Sequence, residues 1–510
     1  MKKTKHVTKK HVSTKRTATP KVVTKTPAKA KTPAKVVAKP KSVKAPAPTK
    51  GAAFTIIARD WRAGFTRTAK TRGAGSTMPI LGHWLVETVG PKAVRFTTTT
   101  LEMASWTTVP ANVVDQTARV CLHGTSGALA QYWAGETMQV SVSRLAKVLL
   151  TGERQTVTIL GYQADEFPVM PKLDVTHTLN LKRALLTEIA GRVSHAASTD
   201  DARPVLAGVL LKYCDGKLTV AAADGFRLAV LTKVTSVNRP VPDTATSEKQ
   251  FDIIVPATFF DIALSALPVT EDDLTLTIGT VKGAIPVKDE PVAISVRLSS
   301  DHGKHGCTCW SIPGTFPDYT KIISKTTSTA VFSARELLAA VAYGGIYAKE
   351  SLNTVTLTLN GSECTVSAES TMSGSISTVI PLAKKSDVFS TPISIAFNRP
   401  WLSQAIRNTI VGSEEEKSTV RMKVTSGTAP VQFVDGATYT HVLMPMHGSA
   451  AASVTAKAFA TEAENAAHLT KDPTAAGAEA YVDEDDLSLT EASESFVTLH
   501  EQAEYEAVTD

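Results

Sequence analysis

Between residues 51 and 447 the chain repeats one order of helix-period and strand-period segments. FTIIARDWRAGFTRTAKTR (54–72) places Ile57, Trp61, Phe65 and Ala69 four apart and sets Arg59, Arg62, Arg67 and Lys70 between them, which predicts an amphipathic helix. MPILGHWLVETV and AVRFTTTTLEMASWTTV alternate like half-buried strands. SVSRLAKVLL (141–150) reads as a shorter helix, and TVTILGY and EFPVMP follow it. The order then recurs. TLNLKRALLTEIAGRVSHA (178–196) reads as a helix, and RPVLAGVLLKYCDGKLTVAAADGFRLAVLT as strands joined at Asp215-Gly216. PATFFDIALSAL (256–267) reads as a second helix with Pro256 at its start. The third round has a helix at 333–345, strands with a turn at Asn360-Gly361, a helix opening at NRPWLSQAIRNTI, and an end at HVLMPM.

This pattern predicts an α+β body of three units, each large enough for its own core: 51–174, 175–324 and 325–447. Its helices carry Arg144, Lys147, Lys182, Arg183, Arg192, Arg335, Arg399 and Arg407. If equivalent helices face one way, a nearly neutral body presents one basic wall.

Charge separates the body from its ends. Residues 1–50 hold fifteen Lys, one Arg and no acid, a net +16; residues 448–510 hold fourteen acids and two Lys, a net −12. The whole chain is +7, which leaves the body near +3. Both ends are poor in large apolar side chains and are expected to be disordered. The basic end suits phosphate neutralisation without sequence reading; a spacer is the plainer alternative. Five cysteines are too few for a disulfide scaffold and suit a reducing compartment. No apolar run approaches a membrane span, and no apolar segment suggests a secretory signal.

No phosphate-cradling glycine loop, dinucleotide fingerprint or nucleophile elbow occurs, so no enzymatic activity and no cofactor are expected. His302, His305, Cys307 and Cys309 in DHGKHGCTCW are possible zinc ligands, but the spacing is tight and a glycine-rich hairpin is the favoured reading.

RPVLAGVLLKYCDGKLTVAAADGFRLAV, GTFPDYTKII and HVLMPM, in that order, resemble the bacterial DNA polymerase III beta sliding clamp family. MPILGHWLVET, TLEM and DEFPVMP resemble its first domain, and the resemblance spans about residues 54–447. It implies three tandem clamp domains per protomer and two protomers closed head to tail into a six-domain ring, helices inside and sheets outside. Double-stranded DNA would thread the ring and be held by topology and phosphate attraction. The implied partners are the polymerase catalytic subunit, a clamp loader and other proteins with clamp-binding motifs, at the nucleoid in the cytoplasm and with no membrane. The implied DNA-facing residues are Arg203, Arg59, Arg62, Arg67 and the basic helix residues above, with Arg72 standing in for a basic residue missing before Met78. The implied dimer interface sets Val157 and Ile159 against Ile346 and Tyr347.

The resemblance also implies a partner-peptide pocket built by Leu206, Gly225, Arg227, Leu228, Pro317, Lys321, Ile322, Val442, Met444, Pro445 and Met446. Methionine's flexible thioether suits a slot that must accept varied side chains. Ala223 and Phe226 replace the polar residues usual in the family, which makes the pocket floor more apolar. His447 replaces a basic residue. In the acidic end, Asp486-Leu487-Ser488-Leu489 is similar to the family's clamp-binding peptides; chance occurrence is the favoured account, and self-docking is the alternative. A clamp-derived DNA-packaging or scaffold protein, dominated by its polycationic tail, is the second functional reading.

Overall fold

The computed structural model describes residues 53–446, apart from 201, 235–249, 271, 282–292, 324, 350–351, 371 and 411–417. Both tails, His447 and the 486–489 segment lie outside the described residues.

Three apolar cores form along the chain, each where a strand runs directly into a helix. In the first, the strand Phe54–Ile57 leads into α1 (Ala58–Thr68), and α1 packs with the four-residue α2 (Thr125–Ala128). In the second, Leu173–Lys182 leads into α3 (Arg183–Arg192), which packs on α4 (Phe259–Ala266). In the third, Ser328–Ser333 leads into α5 (Ala334–Ala348), which packs on α6 (Arg399–Thr409). Capping explains the last pair: Ser333 Oγ accepts from the Glu336 amide, and Asn398 Oδ1 accepts from the Trp401 amide.

Two sheets run through the joins. Met103–Val113 of the first core pairs antiparallel with His305–Trp310 of the second, in the register Thr107 to His305 and Met103 to Cys309. Arg227–Val234 of the second pairs with Tyr439–Leu443 of the third, in the register Arg227 to Leu443 and Leu228 to Val442. The third core's remaining strands make a four-stranded sheet from Gly374–Pro381 to Phe389–Asn398.

Several elements differ from the sequence expectation. Residues 141–150 are no helix but a hairpin of Thr137–Val142 and Lys147–Thr151. Val140, Val148 and Leu150 are buried while Lys147 and Leu149 are exposed, a period of two, and Ala146 takes a left-handed φ of 55° in the turn. Residues 54–57 are a strand buried on both faces between two neighbours, so a continuous apolar run prevails there over helical spacing. The 178–196 segment is likewise strand as far as Lys182. Pro256 ends the edge strand Phe251–Pro256 and does not open α4, consistent with proline's missing donor. The third-unit hairpin closes on Gly361 and Ser362, since Asn360 already pairs with Glu363. Asp215-Gly216 forms the expected two-residue turn, with φ of 48° and 77°.

Candidate peptide pocket and basic helix faces

Strand alternation across the second join creates the pocket region. Ala229 and Leu231 point into the second unit's main core, whereas Leu228 and Val230 point to the opposite face of the sheet. There Leu228 and Val442 join Leu210, Ala223, Ile254 and Phe316 in a small apolar cluster, with Leu206, Tyr319 and Ile323 partly buried against it. Ile322 and Met444 stay 38% and 37% exposed, so the cluster reaches solvent along their side.

The loop before Leu228 is set by Asp224, which sequence reasoning did not single out. Its Oδ1 accepts from the amides of Phe226 and Arg227, both at 2.9 Å, and its Oδ2 pairs with Arg227 Nε at 2.9 Å. Gly225 between them has φ of 95°, a conformation a side chain resists. The Asp-Gly pair was the available signal. Arg203 lies at this loop: its Nη1 would stand 3.4 Å from a Cβ at Gly225, and its Nε pairs with Asp200 at 3.0 Å.

The structure places the expected pocket residues unevenly. Leu206, Leu228 and Val442 come together, Gly225 and Met444 adjoin them through the Met444 amide on the Phe226 carbonyl, and Pro317, Lys321 and Ile322 lie on the stretch of chain that follows Phe316. Lys321 pairs with Asp318 at 3.5 Å. Arg227 instead turns to the seam: Nη1 donates to Gln404 at 2.6 Å and Nη2 to the His195 carbonyl at 2.7 Å. Met446 turns to the third unit, its amide on the Ala396 carbonyl and its sulfur accepting from Thr354. Phe226 is no part of the floor; it is 55% exposed and stacks on Trp401 at 5.4 Å.

Behind the pocket lies a dense polar seam. Arg192 is buried and donates to Glu188 at 2.8 Å and Asp435 at 2.9 Å, with its guanidinium 4.0 Å from the Tyr439 ring centre. The Tyr439 hydroxyl donates to the Arg192 carbonyl at 2.9 Å. His195 and His441 stack with ring centres 5.5 Å apart. Burial, with nearby Arg227, lowers the His195 pKa to about 4; burial and His195 hold His441 well below its usual value.

The predicted basic residues separate by environment. Arg59, Arg62, Arg335 and Arg407 are exposed on helices. Arg144 and Lys147 are exposed in a hairpin, not on a helix. Lys182 is exposed but pairs with Asp272 and Asp273. Arg67 is half-buried, and burial lowers its pKa. Arg72 sits 5.4 Å from the Trp84 ring. Three of the predicted DNA-facing side chains are committed inward: Arg183 donates to the Leu264, Leu267 and Pro268 carbonyls at the end of α4, Arg192 serves the seam, and Arg399 packs beside Gly345 of α5 with its Nε buried. Donors engaged in this way, or buried, are withdrawn from the surface a phosphate could reach.

Val157 and Ile159 lie on Thr156–Leu160, the edge strand of the largest sheet, half-buried against the first core. Ile346 on α5 is 66% exposed and Tyr347 is half-buried. Cys307 and Cys309 point into the second core, where burial raises both thiols, and His305 Nδ1 lies 2.7 Å from the Thr107 hydroxyl. Among the described residues no three His, Cys, Asp or Glu side chains converge as metal ligands.

Residues 180–318 match the family model of the DNA polymerase III beta subunit, central domain. The beta sliding clamp of Chlamydia muridarum is 23% identical over 379 residues, covering 72% of this chain and 92% of that protein. That of Synechocystis is 24% identical over 405 residues, covering 76% and 97%. The DNA polymerase sliding clamp of Bacillus subtilis superposes with a TM-score of 0.66 at 18% identity, covering 78% of this chain and 99% of that one. The DNA polymerase III beta subunit of Thermotoga maritima gives 0.65 at 20%, with the same coverage. The resemblance read from the sequence is therefore borne out: residues 180–318 match the central-domain model of the DNA polymerase III beta subunit, within a body that has the sliding-clamp fold.

Proposed function

We infer that this protein is a DNA sliding clamp, a processivity subunit with no catalytic site of its own. The observation that carries the reading is agreement over nearly the full length of relatives that bear this name, through all three units. In this reading the three clamp domains are 51–174, 175–324 and 325–447. Two protomers close a ring around double-stranded DNA, using the Thr156–Leu160 edge with Val157 and Ile159 on one and the α5 surface with Ile346 and Tyr347 on the other. An unpaired edge strand with an apolar face favours such pairing. Exposed Arg59, Arg62, Arg335 and Arg407, with Arg144 and Lys147, face the phosphates. Their contacts are long-range and read no bases, so the ring slides.

The apolar cluster around Leu228 and Val442 takes peptides from the polymerase, the clamp loader and other partners. Its place of work is the cell interior, with DNA. Among the described residues no helix is long and apolar enough to cross a membrane. The test compares retention on circular and linear DNA. Protein loaded on nicked circles should survive high salt and be lost once the circle is cut. Equal stripping by salt from both forms would overturn the ring and favour a packaging protein dominated by its basic tail.

A further inference from the structure

The join between the first and second units contains a cavity the clamp reading does not use. It has a volume of about 620 Å³, within the range of ligand sites, and lies beneath the segment 167–173 that connects the two units. Phe167, Met170 and Trp106 supply apolar and aromatic wall.

Its polar lining is strongly one-signed. Arg95, Arg119, Arg297 and Lys172 line it, against the single acid Glu87. Glu87 is engaged by Arg119 at 3.5 Å, and Arg119 also meets exposed Asp165 at 3.6 Å. Among the described residues Arg297 has no carboxylate partner. Its Nη2 donates to the Pro171 carbonyl at 3.3 Å, its guanidinium lies 5.6 Å from the Trp106 ring, and its Nε is buried with no hydrogen-bond partner. A half-buried cation without a counter-charge is costly, and guanidinium does not relieve that cost by losing its proton. An anion with an attached apolar group would match both halves of the lining.

We propose that this cavity is an acidic-peptide site and that its occupant is the chain's own segment Tyr481–Asp486. The segment reads YVDEDD: one aromatic residue, one aliphatic residue, then four consecutive acids. Tyr481 fills the space among Phe167, Met170 and Trp106. The following carboxylates meet Arg297 and Arg95 in charge-assisted hydrogen bonds. Tethering raises the effective concentration, so modest intrinsic affinity suffices. The acidic tail thereby covers the first join and leaves the pocket at Leu228 and Val442 open to partners.

Zero-length carbodiimide cross-linking of the full chain, followed by peptide mapping, tests this. Lys172 should couple to carboxylates within 483–486. Replacing Arg297 and Arg95 together by Gln should lower that yield about tenfold, the loss of charge-assisted bonds. Tyr481→Ser leaves every carboxylate and the folded body intact, and should lower the yield several-fold. Coupling of 483–486 to Lys321 or to the N-terminal lysines in place of Lys172 would overturn the proposal. So would a Lys172 yield that Tyr481→Ser leaves unchanged.

Discussion

Both joins between units hold a buried histidine that must stay neutral, so mild acid should loosen the body at its seams. His195 lies behind the pocket, beside Arg227, Asn408 and His441, and its pKa is lowered to about 4. His305 lies at the first join against Thr107, lowered to about 4 by burial and by Arg67, Lys304 and Arg95. The unfolded chain takes up each proton near pH 6.5 and the folded chain only near pH 4. The unfolded state therefore holds more protons in that window, and stability falls as pH falls through it. For His195 the loss between pH 7 and pH 5 is about 2 kcal/mol. His305 adds about 1 kcal/mol after allowance for solvent screening. His441 acts with the same sign. Urea unfolding at pH 7 and pH 5 should thus show a loss of at least about 3 kcal/mol, and His195→Asn with His305→Asn should reduce the dependence by about that amount, leaving the share of His441. A wild-type curve flat over this window, or a double variant with the full slope, would refute the assignment of buried neutral histidines at the joins.

Arg192→Met should destabilise the protein by about 2–3 kcal/mol, because Asp435 loses its cation while Glu188 keeps Lys233; chemical denaturation measures this. Gly306→Ala should cost about 1–3 kcal/mol by overpacking the first join, where a Cβ would stand 2.4 Å from the Leu298 carbonyl oxygen; a thermal melt checks it. Of the five cysteines, Cys214 alone should react with a thiol reagent in the native state, at a rate held down by its hydrogen bond to Asp215, which raises its thiol. The others are buried, with Cys121 and Cys364 pushed up to about 12 and Cys307 and Cys309 also raised, and denaturant should release all five.

What the sequence determined by itself was local. Turn chemistry placed the Asp215-Gly216 hairpin, capping residues placed the starts of α5 and α6, and the repeated order of segments led to three similar units. These depend on neighbours a few residues apart, which any reader of the chain can see. The tertiary structure decided what depends on distant partners. SVSRLAKVLL carries helix-compatible residues, and it is a hairpin because strands on either side claim its backbone. The start of the first predicted helix became a central strand for the same reason. The charged residues show this most plainly. Arg59 and Arg192 look alike as helix-borne cations, yet one faces solvent and the other is buried, because Asp435, 243 positions away, closes on Arg192. Arg227 sits in the same motif as Leu228, and the pleat turns it to the seam while Leu228 faces the small apolar cluster on the other side of the sheet. Sequence spacing specifies which residues share a face of one element. Only packing decides what that face meets, and so which arginines stay exposed and which hold the protein together.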